Sequence, residues 1–464
     1  MLRVLKQYFP IRNVIFYFFE GFVIFGSVLL SSMILTFSNS YMFDLLLVLR
    51  ITLVTAIIQA CLYYNDLYDF QVSSTLPEII IRLLQALGIS SIFLAFIYYA
   101  FPLVILDQKV FVLSILLLFL FIVGWRIIYI HILNKGLFNE NILIVGSSSL
   151  AIDIIREIQN TIDCGYTVKA IFPDNNDEKI EENLPESLRV QHTIKNLCKT
   201  AKELGIRKVV VALKDSRGSF PTEELIRCRT SGVEVLEGTS FYEMLTGKVL
   251  VTKIKPSWLI FSDGFQQSKI RAFLKRIEDI VISSIMLVVL SPLLIITAIV
   301  IKLESDGPVF FVQDRVGLNK NEYMMHKFRS MVADAEKLTG PVWAMNNDQR
   351  ITRVGKFIRK VRIDELPQLW DVLIGNMSLV GPRPERKHFT DMLEKEVPFY
   401  SQRFNVKPGL TGWAQISYDY GATVEDAVEK LNYELFYIKN MSIAMDFIIL
   451  LRTVKTVLFG RGAR

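Results

Sequence analysis

Asp364 and Glu365 are adjacent carboxylates that directly follow a dense run of cations. Arg350, Arg353, Lys356, Arg359, Lys360 and Arg362 put six positive side chains into 13 residues. Ile351, Val354, Ile358 and Val361 recur among them at helical spacing, so the run reads as an amphipathic helix with a basic polar face. Pro367 favours the first turn of a new helix over 367–374, closed by Gly375. The carboxylates therefore lie near a positive helix end and among cations, two effects expected to lower their pKa values and keep both ionised. An ionised carboxylate can act as a nucleophile toward phosphorus when neighbouring cations and a metal offset the charge repulsion.

Other clusters suit the same anionic substrate. Gly381-Pro382-Arg383-Pro384 holds an arginine between two prolines, a rigid mount for bidentate phosphate binding. His326-Lys327-Phe328-Arg329-Ser330-Met331 and Gln313-Asp314-Arg315-Val316-Gly317 add further cations. The turn-rich stretch from Lys407 to Gln415 offers Trp413 and Gln415, an aromatic and an amide suited to a base or a sugar. No Gly-x-x-x-x-Gly-Lys-Ser/Thr motif is present, which disfavours a P-loop nucleotidase. No Asp-x-Asp occurs, and the four histidines are isolated. No nucleic-acid reading module is recognisable, so nucleic acid is not an expected partner.

The elements that must position these residues divide the chain into three. Of 464 residues, 52% are hydrophobic, and the mean hydropathy is +0.37. Residues 1–140 hold 8 basic and 7 acidic side chains, leaving 83 charged residues for the rest. Long apolar runs in this part read as four membrane-spanning helices near 14–37, 44–64, 79–101 and 110–133. Arg3, Lys6 and Arg12 ahead of the first favour a cytoplasmic N-terminus.

From residue 140 the pattern changes. Asn141-Ile-Leu-Ile-Val-Gly146 reads as a buried parallel strand running into a turn, followed by a helix over 150–162. Strands near 166–172, 208–213 and 233–236 alternate with helices near 193–204 and 222–229, the signature of a parallel α/β domain. Its turn has one glycine, Gly146, where a dinucleotide fingerprint has three, which argues against NAD binding. The four cysteines lack any metal spacing and read as free thiols.

The net charge of +6 lies wholly in residues 265–464, which carry 28 basic and 22 acidic side chains. Lys269, Arg271, Lys275 and Arg276 interleave with Ile270, Phe273, Leu274 and Ile277 as an interfacial amphipathic helix. Residues 280–301 are free of charge, but Ser291 and Pro292 interrupt them midway, where proline kinks or breaks a helix.

Taken in order, these motifs resemble the bacterial sugar transferase family. The resemblance covers about 265–464. It rests on Lys275-Arg276, the Ser291-Pro292 break, Lys327 to Met331, Arg359, Asp364 to Trp370, Gly375 to Pro384 and Lys407 to Gln415. These are the monotopic phosphoglycosyl transferases, and the preceding parts resemble the family's large members. The stretch from Lys253 to Phe265 is similar to the exopolysaccharide branch.

The resemblance implies three parts: a four-helix membrane bundle over 1–135, a Rossmann-like CoA-binding-type domain over 140–264, and an α/β monotopic catalytic domain over 265–464. The last would carry a re-entrant helix at 280–301, broken at Ser291 and Pro292. The implied reaction moves a sugar 1-phosphate from a nucleoside diphosphate sugar, expected to be a UDP-sugar, to undecaprenyl phosphate. Asp364 would be the nucleophile and a ligand of Mg2+, with Glu365 assisting as a base or orienting the lipid phosphate. Lys327, Arg329, Arg359, Arg383 and Arg315 would bind substrate phosphates. The setting would be the cytoplasmic face of a bacterial inner membrane, in contact with its lipids, with a homodimer expected. One departure is Asn376, where many members carry Asp. The alternative from another class is a non-catalytic membrane scaffold with a nucleotide-sensing domain.

Overall fold

The computed structural model describes residues 2–458 except 5, 6, 10, 37–44, 70–74, 135, 137–138, 162–163, 174–188, 191–196, 214–219, 255, 263, 266–267, 333–349, 419–420 and 422. It forms two compact units, one running from Tyr8 to Phe241 and the other from Tyr242 onward.

The first unit opens with α1 (Ile11–Thr36), α2 (Leu45–Tyr64), α3 (Leu76–Ala100) and α4 (Gln108–Asn134). All four are long and apolar enough to cross a bilayer. Helix α1 packs on α2 and α4, and α3 packs on the same two, so the bundle closes on itself. Ile24, Ile51, Leu62, Leu83 and Leu118 fill its interior, while Phe18, Phe22, Ile92, Phe96 and Leu120 face outward. An apolar outer face is what lipid contact requires. Arg126, within α4, is buried: its Nε and Nη2 donate to Glu20 Oε1 at 2.9 and 2.7 Å.

The same unit contains a five-stranded parallel sheet. In chain order its elements are β1 (Glu140–Val145), α5 (Ser149–Asn160), β2 (Tyr166–Phe172), β3 (Arg189–Val190), α6 (Leu197–Glu203), β4 (Lys208–Val211), α7 (Thr222–Thr230) and β5 (Glu234–Glu237). The sheet is parallel, as the alternating pattern predicts, and its strand order is 3-2-1-4-5, a Rossmann-type arrangement that fits the resemblance; β3 is not among the strands read from sequence. The start of the helix expected at 193–204 lies outside the described residues. Gly146 has φ +113°, and a Cβ there would meet the Ala212 carbonyl oxygen at 2.2 Å. The glycine thus lets β1 turn hard against the end of β4. Ser148 caps α5 by accepting from Ala151 N, and its hydroxyl donates to Ala212 O at 2.7 Å.

The second unit begins earlier than the boundary at 265 drawn from sequence. Val249, Val251 and Ile254 belong to the same core as Leu369, Leu379, Leu431 and Leu435. Val249 N donates to Asn432 O at 3.0 Å, and Val251 N to Asn432 Oδ1 at 2.9 Å. Residues 242–254 therefore pack with the C-terminal unit. A chain starting at Tyr242 should fold, whereas one starting at 265 loses three core side chains. At roughly 1–3 kcal/mol each, that loss consumes much of a typical stability of about 5–15 kcal/mol. Thermal unfolding of the two purified chains in detergent checks this; equal midpoints would refute it.

The rest of this unit starts with α8 (Lys269–Val289) and α9 (Ser291–Glu304), two helices bent by 61° at their junction. The amphipathic segment and the first half of the apolar run are thus one continuous helix, not two elements. The Ser291 hydroxyl donates to Val288 O at 2.7 Å, the carbonyl that the missing N–H of Pro292 would otherwise have served. Next come the antiparallel strands β6 (Phe310–Val316) and β7 (Glu322–Phe328), then α10 (Arg353–Lys360) and α11 (Gln368–Ile374). Strands β8 (Ser378–Val380) and β9 (Gly409–Thr411) pair in parallel, and α12 (Val424–Asn440) and α13 (Ile443–Leu458) close the unit.

Candidate active site

Helix α10 starts where the Thr352 side chain accepts a hydrogen bond from Gly355 N at 2.9 Å. Its apolar side brings Ile358 into a cluster with Ile301 and Phe328, which joins α9, β7 and α10. After α10 the chain reverses at Arg362, a non-glycine residue in the left-handed region at φ 59°. Such a conformation is uncommon and is held by its surroundings. The turn Ile363–Glu365 that follows carries both carboxylates inward, leaving Asp364 8% and Glu365 9% exposed.

The two acids then have opposite environments. Glu365 Oε1 accepts from Lys327 Nζ and from Arg383 Nη2, each at 2.8 Å. Burial alone would raise the Glu365 pKa, but Arg383, Lys327 and Arg362 override it and hold the carboxyl well below the usual range. Lys327 is itself pulled down by burial, against the attraction of Glu365. Asp364 Oδ1 is buried without a hydrogen-bond partner among the described residues. Burial first, and the Glu365 charge second, push the Asp364 carboxyl up to about 6, opposed by Lys327, Arg362 and Arg359. The expectation of two depressed carboxylates thus holds for Glu365 alone. Lys327, Arg362 and Arg359 favour the ionised form of Asp364 against that burial, and its Oδ1 is left unengaged.

Of the cations named from sequence, the structure gathers Lys327 and Arg383 on Glu365, with Arg359 close enough to act on Asp364. Arg315, half-buried on β6, lies beside Arg383, Arg386 and Glu385 and keeps its Nε buried without a partner among the described residues. Arg329 goes elsewhere. Its guanidinium donates to Ser305 O, Ser305 Oγ and Asp306 O at 2.7–2.8 Å, capping the end of α9. Strand β7 ends at Phe328, so the alternation that would align Arg329 with Lys327 stops one residue short. The two terminal nitrogens of Arg329 are thus spent on the fold, away from the acidic pair.

Trp413 is also turned inward. Its Nε1 donates to Gly247 O at 2.8 Å, and its ring stacks on Phe436 at 6.0 Å. It is a packing residue, not a platform presented to a base. The glycines of this stretch serve close approach instead: a Cβ on Gly409 would lie 2.1 Å from Gly381 N. The Pro-Arg-Pro loop and the Lys407 turn can meet only because both positions are glycine.

Several contributors have partners that no local sequence signal shows. Arg276 donates through Nη1 to Val372 O and through Nη2 to Leu373 O, both at 2.7 Å, so it caps α11. Lys275 is engaged with Asp446 at 2.6 Å. These two cations of the supposed interfacial face are thus spent inside the unit. Asp279 Oδ1 accepts from Leu379 N at 2.9 Å and Ser378 Oγ at 3.0 Å. Asp371 Oδ2 accepts from His326 N at 2.9 Å, and its Oδ1 meets His326 Nδ1 at 2.7 Å. Together they lock α8 and β7 to the segment that carries the acidic pair.

Residues 270–460 match the family described as bacterial sugar transferase, and residues 64–233 match a family described as a CoA-binding domain. The chain is 43% identical over 195 residues to an exopolysaccharide production protein of Rhizobium leguminosarum bv. phaseoli, covering 41% of this chain and 98% of that protein. This chain belongs to the bacterial sugar transferase family. It is also 44% identical over 257 residues to the UDP-N-acetylgalactosamine-undecaprenyl-phosphate N-acetylgalactosaminephosphotransferase of Aeromonas hydrophila. That alignment covers 55% of this chain and 60% of the relative. An undecaprenyl-phosphate glucose phosphotransferase of Komagataeibacter xylinus is 42% identical over 194 residues, 41% of this chain and 36% of that one. The chain thus spans under two thirds of these two relatives. The bacterial sugar transferase match begins within α8 and includes every residue of the acidic pair's surroundings.

Proposed function

We propose that this bacterial sugar transferase moves a sugar 1-phosphate from a UDP-sugar to undecaprenyl phosphate, beginning the assembly of an exopolysaccharide repeat unit. The single observation that carries the reading is the buried, unengaged Oδ1 of Asp364 beside cations. The names of relatives acting on undecaprenyl phosphate support the substrates.

In the first half-reaction Asp364 Oδ1 attacks the sugar-linked phosphorus. An aspartyl O–P bond forms, the phosphoanhydride P–O bond breaks, and the nucleoside monophosphate leaves with that electron pair. In the second, an oxygen of the lipid phosphate attacks the same phosphorus, the aspartyl bond breaks and the carboxylate is restored. Lys327 and Arg383, held together by Glu365, neutralise charge on the donor phosphates, and Arg359 and Arg362 support Asp364. Glu365 is strongly ionised and already shared by two cations, which fits an orienting role better than proton transfer.

Mg2+ suits this donor set. It is commonly held by one or two carboxylates plus substrate phosphates, and the Asp364 carboxylate would be its protein ligand through the oxygen that does not attack. No group of three or more His, Cys, Asp or Glu side chains is assembled as a metal site among the described residues. Bound there, the ion would lower the charge on the donor phosphates.

The bent pair α8–α9 is read as entering and leaving one leaflet, which keeps the catalytic unit on the cytoplasmic face with the cytosolic donor. The 61° bend and the Ser291 hydrogen bond support it, because freed backbone groups in a membrane must be satisfied. Single cysteines introduced near 270 and 310 should be labelled from the same side of sealed vesicles. Labelling from opposite faces would replace the re-entrant helix by a crossing one.

The decisive assay incubates purified full-length protein with Mg2+, undecaprenyl phosphate and a panel of nucleoside diphosphate sugars. At least one donor should yield a lipid-linked sugar diphosphate with equimolar nucleoside monophosphate. Release of nucleoside diphosphate instead would mean plain glycosyl transfer and would end this reading.

A further inference from the structure

Arg383 lies between two prolines, which supply no N–H groups, so the local backbone can be anchored chiefly through its carbonyls. Both neighbouring carbonyls are held. Pro382 O accepts from Gly409 N at 2.8 Å, and Arg383 O accepts from Arg403 Nη2 at 2.7 Å. Arg403 is 5% exposed and is itself fixed from three sides. Its Nε donates to Glu434 Oε2 at 2.9 Å, Nη2 also to Glu434 Oε1 at 2.8 Å, and Nη1 to the Tyr400 hydroxyl at 2.7 Å. Glu434 stands 5% exposed on α12. From there a continuous line of charge-assisted bonds runs through Arg403 to the Arg383 backbone, and from the Arg383 side chain to Glu365.

We propose that Arg403 and Glu434 are positioning residues that hold Arg383 at the donor phosphates, an inference that rests on the phosphoryl-transfer reading above. A buried ion pair is costly to assemble and is weak evidence for stability in itself. Here its geometry has a specific use, since one guanidinium nitrogen is shared between the carboxylate and the Arg383 carbonyl. A lysine at 403 would retain the charge for Glu434 but, as a single ammonium without the planar fork, could not reproduce both contacts.

The test is a double-mutant cycle on the full-length protein in detergent with a UDP-sugar donor and undecaprenyl phosphate. Arg403→Lys should lower kcat/KM for the donor by about tenfold or more in the wild-type background, an estimate for one lost positioning contact. In an Arg383→Ala background the same change should cost less than about twofold, because the carbonyl at 383 remains but the side chain it positions is gone. Multiplying effects would assign Arg403 to general folding and overturn the proposal, as would full activity of Arg403→Lys. If Arg403→Lys does not fold, Glu434→Gln carries the same cycle, and failure of both to fold also overturns it. An inactive wild type would instead defeat the functional reading, so the two failures are distinct.

Discussion

Asp364→Asn should abolish turnover, with a loss of roughly 10⁴-fold or more, as expected when a covalent nucleophile is removed. The substitution keeps the shape of a side chain that is 8% exposed in its turn, so the fold should survive. What disappears is the anion whose Oδ1 has no hydrogen-bond partner among the described residues. Incubated with donor alone, the wild-type protein should gain the mass of one sugar phosphate and release nucleoside monophosphate before any lipid is present. Asp364→Asn should show neither. Steady-state kinetics should be ping-pong, because a water-soluble donor and a membrane-bound acceptor then use one site in turn. Sequential kinetics with no adduct on the wild type would mean direct attack by the lipid phosphate.

Glu365→Gln should produce the second large effect, a fall in turnover of about 10²–10³-fold, the range for a positioned charged group in a water-excluded site. Lys327 Nζ and Arg383 Nη2 both converge on Glu365 Oε1 at 2.8 Å. An amide cannot balance two half-buried cations, so they would separate from each other and from the donor phosphates. Stability should fall as well, by roughly 1–2 kcal/mol, below the scale for a fully buried uncompensated charge because solvent screens the two half-buried cations. Since both cations face the donor, the half-reaction that slows should be adduct formation. Quenched-flow mass measurement with donor alone reads it directly. An adduct formed at the wild-type rate, with turnover lost, would move the role of Glu365 to the lipid step.

The local features of this chain were legible from its residues. Four apolar runs become four helices, because helix formation in a span depends on consecutive residues. Strand, turn and helix from Asn141 onward become a parallel sheet, because hydrophobic period and glycine placement are local too, whereas its order 3-2-1-4-5 is set by long-range pairing. The acidic pair, its cationic approach and the Ser291-Pro292 break lie where their motifs put them. Only the tertiary structure decided how the charges are spent. Lys327 and Arg329 are two residues apart, yet one meets Glu365 and the other caps α9. Arg276 and Lys275 turn inward, Trp413 packs on Phe436, and Arg403 finds Glu434 and the Arg383 carbonyl. Residues 242–254 join the C-terminal core through Asn432, far along the chain. Hydrophobic period reports which face of an element is buried, but it holds no record of what that face or a buried charge will meet. Each of these outcomes was set by a partner distant in sequence. The same long-range burial leaves Asp364 with its raised pKa while Glu365, its neighbour, is held low.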